Sequence, residues 1–496
     1  MKKTTANTRL DEYFRKPHEI ITDKKIMSGF RLYSLELDNK SILTDRIELI
    51  NNLNSNLDNY FTLIIGNNGT GKSRILSEIA RFFNKLNQEN TQPNLFKDSY
   101  FEYNFAPSKI IAVTNSISDK FPIDQSFRTL RNSTHQFYHR EFNYNYLGTR
   151  NRINSFSNKA LMNRALEIVF ESYSQFDVSR NYRHIFDYLN YEPIIKLNYR
   201  LDISYFEKIK DISPKTLINY VEVSSANRFA YRNESLINIV KERANEMCIF
   251  IQDKLHNLKP ENELTINFSE KNIGRIHKDN SLYSENVNKY DLINILRRIG
   301  LIRAFEIQVY KKGGTPFNFS EASSGEANVL STLLSLVPLL KDNSLILIDE
   351  PEISLHPLWQ AKYIDLLNKI LENVSGCHVI IASHSPFLAS DLKPDSSNAV
   401  SLKNKRGIIS ASTIDKSTYG WSAEDILLNV FEMESTRSFD LYENVSNALS
   451  LLANENRSNE ALKKIQHQLK EFYPSILDDD PIKSVIKAIF EANSNE

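Results

Sequence analysis

The sequence predicts an α/β fold: a mixed sheet flanked by helices, with a mainly helical insertion and a helical C-terminal tail. Three observations predict it. First, short apolar runs recur at Tyr60–Ile65, Ser108–Thr114, Leu345–Ile348 and His378–Ala382. Continuous runs of that length read as strands buried on both faces, as in a parallel sheet. Second, the run ending at Ile65 passes into a glycine-rich loop, and the one ending at Ile348 passes into two adjacent carboxylates, Asp349 and Glu350. The carboxyl ends of parallel strands are where open α/β sheets bind ligands. Third, the apolar spacing turns helical between about 155 and 260 and again beyond about 418.

Taken in order, residues 1–27 form a polar arm. A first lobe half covers 28–125. In it Phe30–Leu37 alternates as a strand, Tyr60–Ile65 is a second strand, and Ile75, Ile79, Phe82 and Phe83 recur at helical spacing. An insertion covers 126–300. It opens with an aromatic and basic stretch containing His135–Arg140 and Tyr144–Arg150, then becomes helical. Leu161, Ala165, Val169 and Tyr173 form one stripe; Val240, Ala244, Met247, Ile251, Leu255 and Leu258 form another. Leu264, Ile266 and Phe268 alternate, and Gly300 closes a helix over Tyr290–Ile299. The second lobe half covers 301–415. Phe305, Ile307 and Val309 alternate, Gly313-Gly314 makes a hairpin turn, and an apolar helix runs from Val329 to Leu340 with Pro338 bending or ending it. Pro357 opens a helix carried by Trp359, Tyr363, Leu366 and Ile370. The tail, 416–496, holds helices at Leu449–Phe472 and Pro481–Ala492.

Composition bounds the function. Lys+Arg and Asp+Glu both total 61 in 496 residues, so the net charge is zero. That argues against a bulk electrostatic nucleic-acid binder, though a local basic groove stays open. Two cysteines, Cys248 and Cys377, make no disulfide framework or metal-ligand spacing and suggest a reducing compartment. With no signal peptide and no apolar run near the length of a membrane span, the expectation is a cytoplasmic protein without a membrane partner.

The chemistry is concentrated in four places. Gly66, Asn67, Asn68, Gly69, Thr70, Gly71, Lys72 and Ser73 fit a phosphate loop. Its glycines let backbone N–H groups turn toward a phosphate, and the following helix points its positive end at the same anion. Lys72 is then expected on the β and γ phosphates and the Ser73 hydroxyl on Mg²⁺. Asp349 is expected to hold that metal through its water shell or through Ser73, and Glu350 to polarise the attacking water. Ser324, Gly325 and Glu326 stand at a helix start where a hydroxyl and backbone N–H groups could meet a γ-phosphate; the same residues also make an ordinary capped helix start. His384 follows a buried strand and is expected to contact the γ-phosphate. The expected cofactors are therefore ATP and Mg²⁺, and the catalytic set is Glu350, Lys72 and His384.

In this order, Gly66–Ser73, Ser323–Glu326, Leu345–Glu350, Ser354–Pro357 and Ser383-His384 resemble the Walker A, signature, Walker B, D-loop and switch-histidine motifs of ABC-type ATPases. Asp349–Pro357 and Ser383–Pro386 resemble the soluble branch that includes overcoming-lysogenization-defect proteins, RecF-like recombination ATPases and the ATPase subunits of anti-phage systems such as Septu and PARIS. The resemblance covers roughly 30–120 and 300–415. It implies an ABC-ATPase head, a P-loop NTPase fold in which two copies dimerise head to tail. Each nucleotide then lies between one chain's Lys72 and the other's Ser324-Gly325, and Ser354–His356 meets the opposite site. A homodimer or a higher even-numbered oligomer follows. There are departures. The signature begins Ala322-Ser323, and the Q-loop position is open among Asn115, Gln125 and Gln136. The tail lacks the strand with paired acids of a Toprim nuclease, so an effector such as an HNH or Toprim nuclease is expected as a separate polypeptide. The long insertion argues against a transporter nucleotide domain.

Two rival functions stand beside an ATP-driven defence switch: a repair or recombination ATPase that clamps DNA, and a nucleotide-dependent scaffold with little turnover. The aromatic and basic residues of 135–156 could stack on single-stranded nucleic acid or could form a buried aromatic surface or a partner interface. Lys403–Gly407 reads as a basic hairpin turn.

Overall fold

The computed structural model describes residues 29–51, 59–88, 99–116, 118–123, 143–148, 158–172, 179–202, 204–228, 234–256, 262–268, 283–414, 417–453 and 459–492. The polar arm, His135–Arg140, Gln125, Gln136, Tyr173 and Leu258 lie outside these residues. The chain divides into two compact units, 1–420 and 421–496.

The first unit is built on a nine-stranded sheet. Its strands are β2 (Asp38–Asn39), β3 (Ile42–Thr44), β5 (Tyr60–Gly66), β7 (Lys109–Thr114), β8 (Tyr144–Leu147), β13 (Ser344–Asp349), β14 (His378–Ser383), β15 (Ser397–Lys405) and β16 (Ile408–Thr413), in the order β2-β3-β16-β15-β5-β14-β13-β7-β8. From β15 to β8 every neighbour is parallel. Every residue of β5, β7, β13 and β14 is buried, which is why their sequences read as unbroken apolar runs. Register then aligns their ends: Ile65 pairs with Ser383, and Asp349 pairs with both Ala382 and Thr114. The glycine loop, the acid pair and His384 thus leave the sheet along one edge.

Two antiparallel sheets accompany it. One joins β4 (Ile47–Glu48), β1 (Leu32–Glu36) and β6 (Tyr100–Tyr103); the other runs β10 (Asn262–Asn267), β9 (Tyr191–Leu201), β11 (Ile302–Lys311), β12 (Pro316–Asn318). The eleven-residue β9 lies inside the segment expected to be helical. Its Ile195, Leu197 and Tyr199 alternate inward, a short period-2 signal next to strong helical stripes. The insertion does carry long helices, at 158–172, 214–228 and 234–256. The aromatic stretch also resolves differently where it is described. Tyr144 and Tyr146 are 2% and 3% exposed in β8 and donate to the carbonyl of Pro122 (2.8 Å) and to Asp119 (2.8 Å). Rings placed so cannot stack on bases.

The helix expected from Pro357 onward is two, Pro357–Gln360 and Tyr363–Ile370. The Trp359 carbonyl, which a continuous helix would give to the Tyr363 N–H, instead accepts from Lys362 N (3.1 Å) and Tyr188 Oη (2.6 Å). The second unit packs the helices Phe439–Ala453, Asn459–Phe472 and Pro481–Glu491 around Leu441, Val445, Leu462, Leu469, Ile486 and Ile489. A further helix, Ala423–Asn429, is capped by Ser422. Among the described residues no helix is long and apolar enough to cross a membrane.

The far end of the sheet buries a titratable group. The His378 Nδ1 accepts from Leu32 N (3.2 Å), its Nε2 meets Thr62 Oγ1 (2.9 Å), and Arg31 lies beside it. Burial, reinforced by the Arg31 charge, holds this imidazole well below its ordinary range. The unfolded chain protonates His378 near pH ~6.5 and the native chain does not. The stability it contributes is therefore fully present above that pH and is lost as the pH falls below it. Thermal unfolding followed from pH 7.5 to 5.5 should show a loss of up to ~1.4 kcal/mol per pH unit from this group. H378N keeps an acceptor for Leu32 and should lack that part of the slope; equal slopes in both proteins would contradict the assignment.

Candidate functional site

The phosphate loop forms because β5 ends at Gly66 and the next helix, Lys72–Gln88, begins within six residues. Gly71 sits at φ +87°, and a Cβ there would come within 2.5 Å of Ile409 Cδ1. Any other residue would be strained there and would have to displace the end of the Ile409 side chain. Thr70 Oγ1 closes the loop on Asn67 O (2.8 Å). Lys72 Nζ donates to Gly66 O (2.8 Å) and Asn67 O (3.3 Å) and lies 3.4 Å from His384 Nδ1. Burial lowers the Lys72 ammonium to about 8, against the pull of Glu350, Glu352 and Asp349.

Facing it, Ser73 Oγ donates to Asp349 Oδ1 at 2.9 Å. Asp349 is 1% exposed. Burial pushes its carboxyl up to about 7; the Ser73 hydrogen bond opposes this and Glu350 adds to it. Glu350 then turns the chain through a left-handed conformation, φ 49°, with its N–H on Ala382 O (2.9 Å). Non-glycine residues in that region are uncommon and concentrate at functional sites. Burial, then the Lys72 charge, lowers the His384 imidazole, opposed by Glu350. A cleft of about 280 Å³ gathers Asn68, Gly69, Gly71, Lys72, Ser73, Glu350 and His384 on its walls. A lysine pushed toward neutrality beside an aspartate pushed the same way describes a site that an anion and a cation together would repair.

Ser324, Gly325 and Glu326 do not line this cleft. They open the helix Ser324–Leu336, capped by Ser323 in a capping box with Glu326. Glu326 is fully engaged there: its N–H goes to Ser323 Oγ (3.3 Å), and its carboxylate takes Ser323 Oγ (2.9 Å) and Lys311 Nζ (3.0 Å). It holds the helix start, with Lys311 beside it. Gly325 packs under Ser354, whose carbonyl would lie 2.1 Å from a Cβ at that position. Ser354 is exposed and also left-handed, at φ 63°.

Some contributors were not evident from motifs. Ser41, Leu43, Asn404 and Gly407 also line the cleft, because β3 pairs with β16 beside the β15–β16 hairpin. The Lys403–Gly407 turn is that hairpin's tip, with Arg406 and Gly407 both at positive φ. Asn115 donates to Pro351 O (3.3 Å), so of the three Q-loop candidates it is the one the described residues place beside the acid loop. Glu352 accepts from the backbone N–H of His384. A third acid in Asp-Glu-Pro-Glu was the only signal for it in the chain.

A hydroxyl and a carboxylate in contact are hard oxygen donors of the kind Mg²⁺ takes, few enough to leave room for phosphate oxygens and water. With the phosphate loop on a buried parallel strand, these features define a P-loop nucleotide site. The chain belongs to the AAA ATPase domain family (AAA_15), whose model matches residues 46–389. It is similar to protein ea59 of Escherichia phage lambda, 31% identical over 163 residues, 31% of this chain and 30% of that protein. The Septu protein PtuA of Bacillus thuringiensis is 29% identical over 147 residues, 29% of this chain and 35% of the other. A retron Ec83 probable ATPase of Escherichia coli is 25% identical over 216 residues, 40% and 38% respectively. The matches thus span about a third of each relative's length.

Lys72→Ala removes a buried charge whose desolvation the fold already bears. It is expected to weaken binding of a fluorescent ATP analogue by ~10-fold or more while leaving the melting temperature unchanged or raised. Unaltered analogue affinity would exclude Lys72 from the phosphate site.

Proposed function

We propose that the chain binds ATP with Mg²⁺, pairs head to tail with a second copy around the nucleotide, and hydrolyses it to switch a separate effector protein in anti-phage defence. The observation that carries this reading is the 2.9 Å contact between Ser73 and Asp349 beside Lys72 and His384. It brings a phosphate-loop hydroxyl and a strand-end carboxylate, 276 positions apart, into hydrogen-bond contact. Ser73 and Asp349 would hold Mg²⁺, which when bound neutralises phosphate charge. Lys72 would hold the β and γ phosphates. Glu350, at the cleft wall, would orient the attacking water and take its proton. His384, kept neutral, would contact the γ-phosphate. Phosphoryl transfer asks chiefly for such positioning and charge compensation.

The dimer follows from where the signature lies. Ser324 is exposed and, with Gly325, stands away from the chain's own cleft. A second copy would bring its own Ser324-Gly325 to each nucleotide. The effector role is supported by kinship with the Septu protein and the retron ATPase. A cytoplasmic location agrees with that role.

Glu350→Gln keeps the shape of the site and removes the proton acceptor. Turnover is expected to fall ~100-fold or more, as for loss of a general base. ATP should then hold this variant as a dimer in size-exclusion chromatography with light scattering, while wild type returns to its nucleotide-free state as ATP is consumed. A variant that turns over and associates like wild type would sink the head-to-tail model.

A further inference from the structure

The turn that carries His384 is tethered by Glu352 of the acid loop and by Gln360 of the short helix that follows it. Glu352 accepts from His384 N–H. Gln360 Oε1 accepts from Ser385 Oγ (2.6 Å), and its Nε2 donates to Leu355 O (2.9 Å). Between β14 and the four-residue helix Pro386–Ala389 only His384 and Ser385 intervene. A peptide plane in so short a turn sets the direction of the side chain it carries. A charge-assisted bond to that plane is about twice as strong as a neutral one.

Glu352 is itself held firmly. It sits between the left-handed residues Glu350 and Ser354, in a turn closed by Ile353 N to Glu350 O (3.3 Å) and Leu355 N to Glu352 O (2.9 Å). Its Oε2 is sealed from solvent, with the Ser383 hydroxyl beside the carboxylate. At the far end of the same turn, Ser354 packs on Gly325.

We propose that Glu352 is a positioning residue for the hydrolysis read above, on which this assignment rests: through the His384 N–H it sets where the His384 imidazole stands against Lys72, and it joins that placement to the conformation of the Glu350–Ser354 turn. The second copy is expected to press on this turn through Ser354, so the same bond carries its arrival to His384.

The test uses the full chain, with steady-state ATP hydrolysis and binding of a fluorescent ATP analogue. E352A is expected to lower kcat ~10-fold or more with analogue affinity within ~3-fold of wild type, since the His384 placement matters to the reacting phosphate rather than to binding. E352L fills the space without accepting a hydrogen bond and should behave alike if E352A folds poorly. E352Q keeps an oxygen for the N–H and should recover turnover to within ~3-fold. In the double variant E352A/H384A the loss should be no greater than in H384A alone, because both act through one imidazole. Losses that multiply in the double variant, a glutamine as slow as the alanine, or wild-type kcat in both E352A and E352L would each overturn the assignment. If K72A hydrolyses ATP as fast as wild type, the reading of the site fails first and takes this assignment with it.

Discussion

A carboxylate at the end of a strand buried on both faces has no route to water. Asp349 is in that position: β13 lies between β7 and β14, and its last residue is 1% exposed. The compensation has to come from neighbours, and the nearest available donor is the Ser73 hydroxyl, one residue into the helix that follows the phosphate loop. That requirement fixes much of the rest. β5 must stand one strand away from β13, with β14 between them, so that the loop after Gly66 curls over the strand ends. His384 then emerges from the intervening strand at Lys72. Glu350 has to turn back sharply, which its left-handed backbone does.

The turn after the acids is the meeting point of otherwise separate parts. Its first residue lines the cleft, Glu352 grips the His384 backbone, and Ser354 rests on Gly325. Two further ties reach the insertion. Asn158 donates to Ala322 O just before the helix that precedes the acid strand, and Tyr188 bonds Trp359 just after that strand. The insertion is thus attached at both flanks of the nucleotide machinery, by polar contacts that a lobe movement would have to break or carry along.

Most of the central sheet could be read from the chain because burial on both faces leaves a one-dimensional trace: four apolar runs, each followed by a change in polarity. The phosphate loop, the acid pair and His384 were legible for the same reason, since each directly follows such a run. Ser-Ser-Gly-Glu forms the expected helix cap, and the pairing of its Glu326 with Lys311, a residue of another sheet, left no trace in the local pattern. β9 was hidden because its alternating residues are few and lie between helices with longer stripes. For Tyr144 and Tyr146 the local pattern left stacking and burial both open, and the pairing of β8 with β7 decides for burial.

The sequence alone determined which segments are strands of a buried parallel sheet and which polar residues stand at their ends, because backbone periodicity and local turn chemistry are properties of neighbouring residues. Only the tertiary structure decided which ends meet. Strand order and register bring Ser73 to Asp349, 276 positions apart, and Glu352 to His384, 32 apart, through pairings that leave no mark on the local pattern.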